Sequence, residues 1–172
     1  MLKNLEKVRV LSEKYNAKIK QIDLKALFPY LEGVSLEEDD TLQDMWANLF
    51  LNYIDADQKM LSTVYPDILK HLSTKEAGIL KYMHENSGIL SVGPKASSNK
   101  LIVDDKELQN LERLRLIEPQ GNFSLVGDMS DPIIEEAAPN FYYTTAFGDD
   151  FISSCLPRDD SEKSKSMRES YH

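Results

Sequence analysis

Between Leu42 and Tyr53 the apolar side chains Leu42, Met45, Trp46, Leu49, Phe50 and Tyr53 recur at i, i+3, i+4, i+7, i+8 and i+11. Only a helix places those positions on one face, so this segment must form a helix with a buried side. It carries the single tryptophan, and its start is crowded by Glu37, Glu38, Asp39, Asp40 and Asp44. A stripe this wide needs other elements to cover it, and helix punctuation elsewhere in the chain supplies them.

Residues 1–20 read as a helix, with Leu5, Val8, Tyr15 and Ile19 at heptad-like spacing, Ser12 in the intermediate slot and lysines on the other side. A second helix is expected from about Leu24 to Gly33, burying Leu24, Leu27, Phe28 and Leu31. Pro29 should kink it or confine it to two short turns, because proline removes a backbone donor. Ser35 with Glu38, and Thr41 with Asp44, have capping-box spacing. A further helix spans roughly Gln58 to Leu72, with a kink or restart near Tyr65 set by Pro66. Leu61, Val64, Tyr65, Ile68, Leu69 and Leu72 form its inner side.

From Ser73 the character changes. Ser73 and Glu76 form a capping box that opens a helix with Ala77, Leu80 and Met83 inward, closed by a left-handed cap at Asn86-Ser87-Gly88. Residues 88–103 are polar and turn-rich around Gly93-Pro94 and Ser97-Ser98, with short apolar islands at Ile89-Leu90 and Leu101-Ile102-Val103. Asp104 or Asp105 then caps a helix through Leu108, Leu111, Leu114 and Leu116. Ile117 and Phe123 to Val126 read as strand, Asp131-Pro132 as the start of a short turn or helix to Ala138, and Phe141 to Thr144 as strand. Ala146 to Leu156 forms the last helix, with Phe147, Phe151, Ile152 and Cys155 inward and Gly148 permitting a tight turn. Helix, helix ending in leucine-rich turns, two strands and a closing helix is the order of a winged-helix module. The expected fold is mainly α with a small β component. An N-terminal helical bundle (1–72) precedes a winged-helix-like α+β module (73–156) and a disordered tail (157–172).

With 172 residues, 41% of them hydrophobic, the chain can bury a real core. Its net charge of −9 is uneven: residues 1–20 carry +4 and the remainder −13. An acidic body repels phosphate backbones, which argues against non-specific nucleic-acid binding by the whole chain. The basic first segment is either a docking helix or a peripheral contact for an anionic membrane or acidic protein. Cys155 stands alone, which excludes an intrachain disulfide and a multi-thiolate zinc site and fits a reducing cytoplasm. Charges interrupt Leu2 to Leu11 too often for a signal peptide, and no apolar run approaches the roughly 20 residues of a membrane span.

Four blocks, SLEEDDTLQDMWANLF, VYPDILKHLSTKEAGILKYM, LERLRLIEP and FYYTTAFGDDFISSC, resemble the abortive infection alpha family of bacteria over roughly Leu24 to Leu156. The matching positions are Glu38, Leu42, Gln43, Trp46, Ala47 and Leu49, then Pro66, Ile68, Leu69, Leu72, Ser73 and Ala77. Leu111, Glu112, Leu114, Leu116 and Ile117 follow, and Tyr143, Thr144, Phe147, Gly148, Phe151 and Cys155 close the match. Arg115 departs from the pattern where a glycine is common, and Thr145-Ala146 where a proline-bearing turn is usual. The resemblance implies a role in defence against phage. Family members usually carry a further N-terminal segment, which leaves open whether residues 1–172 are the whole protein.

The sequence offers few chemical sites. Glu37, Glu38, Asp39, Asp40 and Asp44 are oxygen donors of the kind divalent ions take, but no glycine-bearing loop, partner histidine or second carboxylate cluster accompanies them. Acids at a helix N-terminus are accounted for by capping and the macrodipole. Asp40 and Asp44 share a helix face, yet an acid/base pair needs burial to separate its pKa values. His71, His84 and His172 lack ligand spacing, and Cys155 sits on an apolar stripe with no basic neighbour. Gly93-Pro94-Lys95 is not a phosphate loop. The expectation is a non-enzymatic interaction module without cofactor or metal, acting through a protein partner or self-association, with the basic first helix and exposed aromatics as contact surface. The alternative is a winged-helix DNA-binding regulator with Lys95 and Lys100 on phosphates, disfavoured by the acids Asp104, Asp105, Glu107 and Glu112 on the candidate reading helix.

Overall fold

The computed structural model describes residues 2–58, 61–93, 103–120 and 140–158. The chain forms two compact units, one running to Lys70 and resuming at Ser153, the other His71–Ile152.

The first unit holds α1 (Leu2–Lys14), α2 (Leu24–Leu36), α3 (Asp40–Ile54) and α4 (Tyr65–Leu69). The stripe helix α3 is central. It packs against α1, α2 and α4, so it buries Ala47, Asn48, Leu51 and Asn52 as well as most of its stripe. α1 stops six residues before the expected end because Asn16 takes a left-handed φ of 49°. Asn16 N–H then donates to Glu13 O (3.2 Å) and Ala17 N–H to Ser12 O (3.0 Å), a Schellman closure. Ile19 therefore leaves the expected stripe, is 66% exposed and forms a β-bridge with Asp55.

α2 corrects the expected burial. The residues facing inward are Ala26, Tyr30, Gly33 and Val34, while Leu24 and Phe28 are exposed. Both stripes have helical spacing, and the one containing alanine and glycine faces in because it lets Trp46 approach. A Cβ on Gly33 would lie 2.4 Å from the Trp46 ring. α2 also runs through Pro29 to Leu36, so Ser35 lies inside it and donates its hydroxyl to Glu32 O (2.9 Å) instead of capping α3. Asp39 is the cap. Its carboxylate accepts from Thr41 N–H (2.9 Å) and Leu42 N–H (3.1 Å), displacing the expected roles of Ser35 and Thr41. The helix expected from Gln58 is only the five-residue α4, which restarts at Tyr65 with Pro66 in its first turn.

In the second unit come α5 (Thr74–Glu85), β1 (Ile89–Val92), α6 (Asp105–Arg113), β2 (Ile117–Pro119), β3 (Asn140–Thr144) and α7 (Ala146–Cys155), the chain leaving this unit at Ile152. The Ser73–Glu76 capping box forms as expected, and α5 closes through Gly88 N–H to Met83 O (2.7 Å) with Ser87 and Gly88 both left-handed. A second capping box, Asp104 with Glu107, starts α6. α6 ends at Arg113, earlier than expected, because Arg115 adopts φ 58° and Leu116 N–H turns back to Leu111 O (3.0 Å). Strand order is β1-β3-β2, antiparallel throughout, with Leu90 opposite Tyr142 and Ile117 opposite Thr144. β1 falls where only a polar loop was expected. Gly148 makes no turn but sits within α7, where a Cβ would lie 2.0 Å from Leu116 O. The strand expected at Phe123–Val126, the helix from Asp131 and the phosphate contacts Lys95 and Lys100 lie outside the described residues, as does His172. The fold is mainly α with a small β component.

Candidate functional site

The acidic start of α3 is drawn into structural duties. Glu37 accepts from the N–H groups of Glu38 and Asp39, both at 2.9 Å, and Asp39 caps the helix. Asp40 pairs with Lys3 and Asp44 with Lys7, and Lys7 also lies 3.9 Å from Asp40. The hydrogen bond from Lys3 holds the Asp40 carboxyl below its ordinary range. These contacts turn the lysine face of α1 towards α3. The other basic residues of the first twenty also have intramolecular contacts: Arg9 with Glu6 and Glu13, Lys14 with Tyr15, Lys18 with Asp57, Lys20 with Gln58 O. Among the described residues, no three histidine, cysteine or acidic side chains converge as a metal site requires.

Beneath these surface pairs lies a buried polar link. The Tyr30 hydroxyl donates to Asn4 Oδ1 (2.5 Å), and Asn4 Nδ2 donates to Gln43 O (2.7 Å), joining α1, α2 and α3. Gln43 Nε2 reaches Glu37 O (2.6 Å), while Gln43 Oε1 and Trp46 Nε1 are buried without a hydrogen-bond partner among the described residues. Trp46 is fully buried, edge-on to Tyr30, which in turn stacks on Phe50 with ring centroids 4.3 Å apart.

At the far end of α3, Asp55 is a hub the sequence did not announce. Arg158, which composition assigns to the tail, donates to Asp55 Oδ2 (2.7 Å) and to Asn52 Oδ1 (2.8 and 3.0 Å), with its guanidinium 5.3 Å from the Tyr15 ring centre. Lys18 and Asp57 add backbone N–H bonds to Asp55 Oδ1. Asp55 is nearly fully buried, which alone would raise its pKa; the bonds from Asp57, Arg158 and Lys18 outweigh burial and hold it low. The tyrosine fifteen residues from the N-terminus and the pair Asn52/Asp55 at i, i+3 were the only sequence signals for this clamp.

A profile of the abortive infection alpha family matches residues 2–155. The chain belongs to that family. Neither curated proteins nor solved structures yielded a match.

In this abortive infection alpha chain most of the family-pattern residues serve packing. Leu42, Gln43, Trp46 and Leu49 are buried on α3, and Glu38 is exposed beside the Asp39 cap. Leu111 and Ile117 are buried in the second unit, Leu114 is the C-cap of α6, and Thr144 pairs with Ile117 across the sheet. Gly148 permits the closest approach of α7 to the backbone at Leu116. His71 contributes its main-chain oxygen to Asn110 (3.3 Å), and His84 is exposed in the last turn of α5. Cys155 is fully buried, and burial pushes its thiol far up, so it stays protonated. The second unit also has an open concavity of about 570 Å³ between the end of α6, β2 and the start of α7, lined by Ile117, Pro119 and Phe147 with Glu112, Glu118 and Arg115. No helix among the described residues is long and apolar enough to cross a membrane.

Proposed function

We propose that this protein serves in defence against phage and acts by binding, to a protein partner or to itself, rather than by catalysis. Membership of the abortive infection alpha family supports the defence role. The observation that carries the binding reading is that four of the five acids offered as chemistry, Glu37, Asp39, Asp40 and Asp44, are engaged in caps, turns or ion pairs. Asp39 is a cap, Asp40 and Asp44 are neutralised by Lys3 and Lys7, and Cys155 is a buried thiol. A free buried thiol also suits a reducing cytoplasm, where we place the protein. The test is phage plating on cells with and without the gene, alongside an Asp40→Asn/Asp44→Asn variant. Defence should appear with the gene and persist in the variant. Unchanged plating across a broad phage panel refutes the role, and loss of defence in a folded variant refutes the non-catalytic reading.

One set of observations favours a second reading, a winged-helix DNA-binding module. The strand order β1-β3-β2, with α5 before β1 and α6 between β1 and β2, supports it. Two of the four acids counted against DNA are engaged: Asp104 and Glu107 form a capping box, and both lie within reach of Lys75. With Leu108 and Leu111 buried, helical spacing puts Lys106, Gln109 and Arg113 in one outward row, basic and amide in character. Gel shifts with random duplex at low salt decide. Tight binding that falls steeply with salt and disappears in Lys106→Glu/Arg113→Glu would replace the first reading.

A further inference from the structure

Among the described residues nothing covers the apolar side chains on the outward face of α2, yet that face carries the better hydrophobic stripe of the helix. Leu24 is 58% exposed, Phe28 66% and Leu36 78%, with Leu31 half-buried between them. The inward face is occupied by Ala26, Tyr30, Gly33 and Val34. At about 100° per residue, Leu24, Phe28 and Leu31 form one outward row, and Lys25 and Glu32 form a second row beside it. Glu32 is held at the surface by Lys70 at 2.8 Å, and Lys25 is exposed.

We infer that this face docks a second copy of the chain, α2 against α2 in antiparallel orientation about a two-fold axis beside Phe28. This deepens the self-association reading above and names its surface. The argument for a second copy over another partner is self-complementarity. A two-fold axis perpendicular to the paired helices keeps each row on its own side and reverses its direction. Centred beside Phe28, it sets Phe28 against its symmetry mate and Leu24 near the mate of Leu31. On the flanking row it places Lys25 opposite the mate of Glu32, and it does so twice. An apolar row with opposite charges at matched distances from one centre is what an isologous interface requires. The exposed apolar side chains of a single helix face, Leu24, Phe28 and Leu36, bury less than the ~800 Å² per partner of a standard interface, so association is weak and depends on concentration.

Sedimentation velocity and light scattering on the intact chain, from micromolar to near-millimolar, provide the test. Wild type should move from monomer towards dimer, and Phe28→Glu should weaken association roughly tenfold or more. Lys25→Glu alone meets Glu32 with like charge, and Glu32→Lys alone meets Lys25 with like charge, so each should be monomeric. Mixed together these two variants regain both opposite-charge contacts, and a heterodimer should reappear. All three positions are on the surface, and unchanged circular dichroism confirms folding of each variant. A wild type that stays monomeric throughout, or a mixture that fails to recover, overturns the proposal. So does a monomer that instead sediments with anionic vesicles through Phe28, which assigns the face to a lipid surface. Mass measurements do not depend on plating, so a dimer without phage protection would leave this interface standing while the defence role fell.

Discussion

Two glycines inside helices should respond to alanine with opposite signs. In a helix interior, alanine is favoured over glycine by about 0.8–1.0 kcal/mol. At Gly78 in α5 a Cβ would meet nothing within 4 Å, so Gly78→Ala should realise that gain. At Gly33 in α2 the same methyl would lie 2.4 and 2.5 Å from two ring carbons of Trp46. Carbon atoms are most comfortable at about 3.5–4.0 Å, so the ring must withdraw by more than about 1 Å. Trp46 is fully buried and held edge-on to Tyr30 at 5.5 Å, so it has no solvent to move into. Overpacking of this kind costs typically 1–3 kcal/mol, and the depth of the clash puts it near the top of that range. After subtracting the propensity gain, Gly33→Ala should lose about 2 kcal/mol, a fall of roughly 8–16 °C in Tm for a unit of this size. Urea unfolding followed by Trp46 fluorescence reads the first unit, because no other tryptophan is present. Far-UV circular dichroism follows Gly78→Ala. A neutral or stabilising Gly33→Ala would refute the close packing of α2 on α3.

Gly148→Ala should be more severe, at least about 3 kcal/mol, because its Cβ meets a backbone oxygen that cannot rotate away; soluble protein with a near-native melt would refute this. Arg115→Gly should stabilise by about 0.5–1 kcal/mol by relieving a left-handed residue at φ 58°, measured by thermal melting, and a loss of stability would refute it. The Asp55 clamp should make the first unit acid-sensitive. Its folded pKa is depressed, so its contribution is complete above the ordinary carboxylate range and is lost as pH falls through the lowered value. Asp55→Asn should flatten that acid limb in pH-dependent urea melts, and an unchanged limb would refute the assignment.

What could be read from the sequence was local. The α3 stripe, the Ser73–Glu76 box and the Gly88 cap each depend on residues within one or two turns, and each was legible. Failures came where two local readings competed or where a distant partner decided. α2 has two stripes of helical spacing, and only the fit of Gly33 to Trp46 selects the one with less apolar surface. Ser35 and Thr41 had capping spacing, but α2 runs on past Ser35 and leaves the cap to Asp39. β1 is four residues whose pairing partner lies some fifty residues on, with Ile89 opposite Tyr143, and short islands carry no periodicity. The family pattern had flagged Arg115 as standing in a glycine position, and the positive φ there supplies the reason. Arg158 was hidden by the composition of its neighbours, since one basic residue in a charged, serine-rich stretch gives no sign of a buried acid waiting for it.

The lysine–acid pairs between α1 and α3 are conspicuous, but they are not what sets the register of these helices. Lys3 and Asp40 are both largely exposed, and exposed ion pairs contribute little once side-chain entropy and salt are counted. Asn4 is fully buried, and its two hydrogen bonds tie α1 to both α2 and α3. Sliding α1 by a turn would strand Asn4 and the Tyr30 hydroxyl in an apolar interior, whereas Lys3 and Lys7 would find other acids at the start of α3. A buried polar residue of this kind specifies register at some loss of stability. Asn4→Ala should therefore lower stability by about 1–3 kcal/mol, mainly through the orphaned hydroxyl of Tyr30. Lys3→Ala should change the urea midpoint little. Replacing both partners, as in Asn4→Leu/Tyr30→Phe, removes the orphan and should recover most of the loss, because two apolar groups in place of a hydrogen-bonded pair are nearly neutral. If Lys3→Ala proved as damaging as Asn4→Ala, or if the double variant were worse than either single one, the buried link would not be the element that fixes α1.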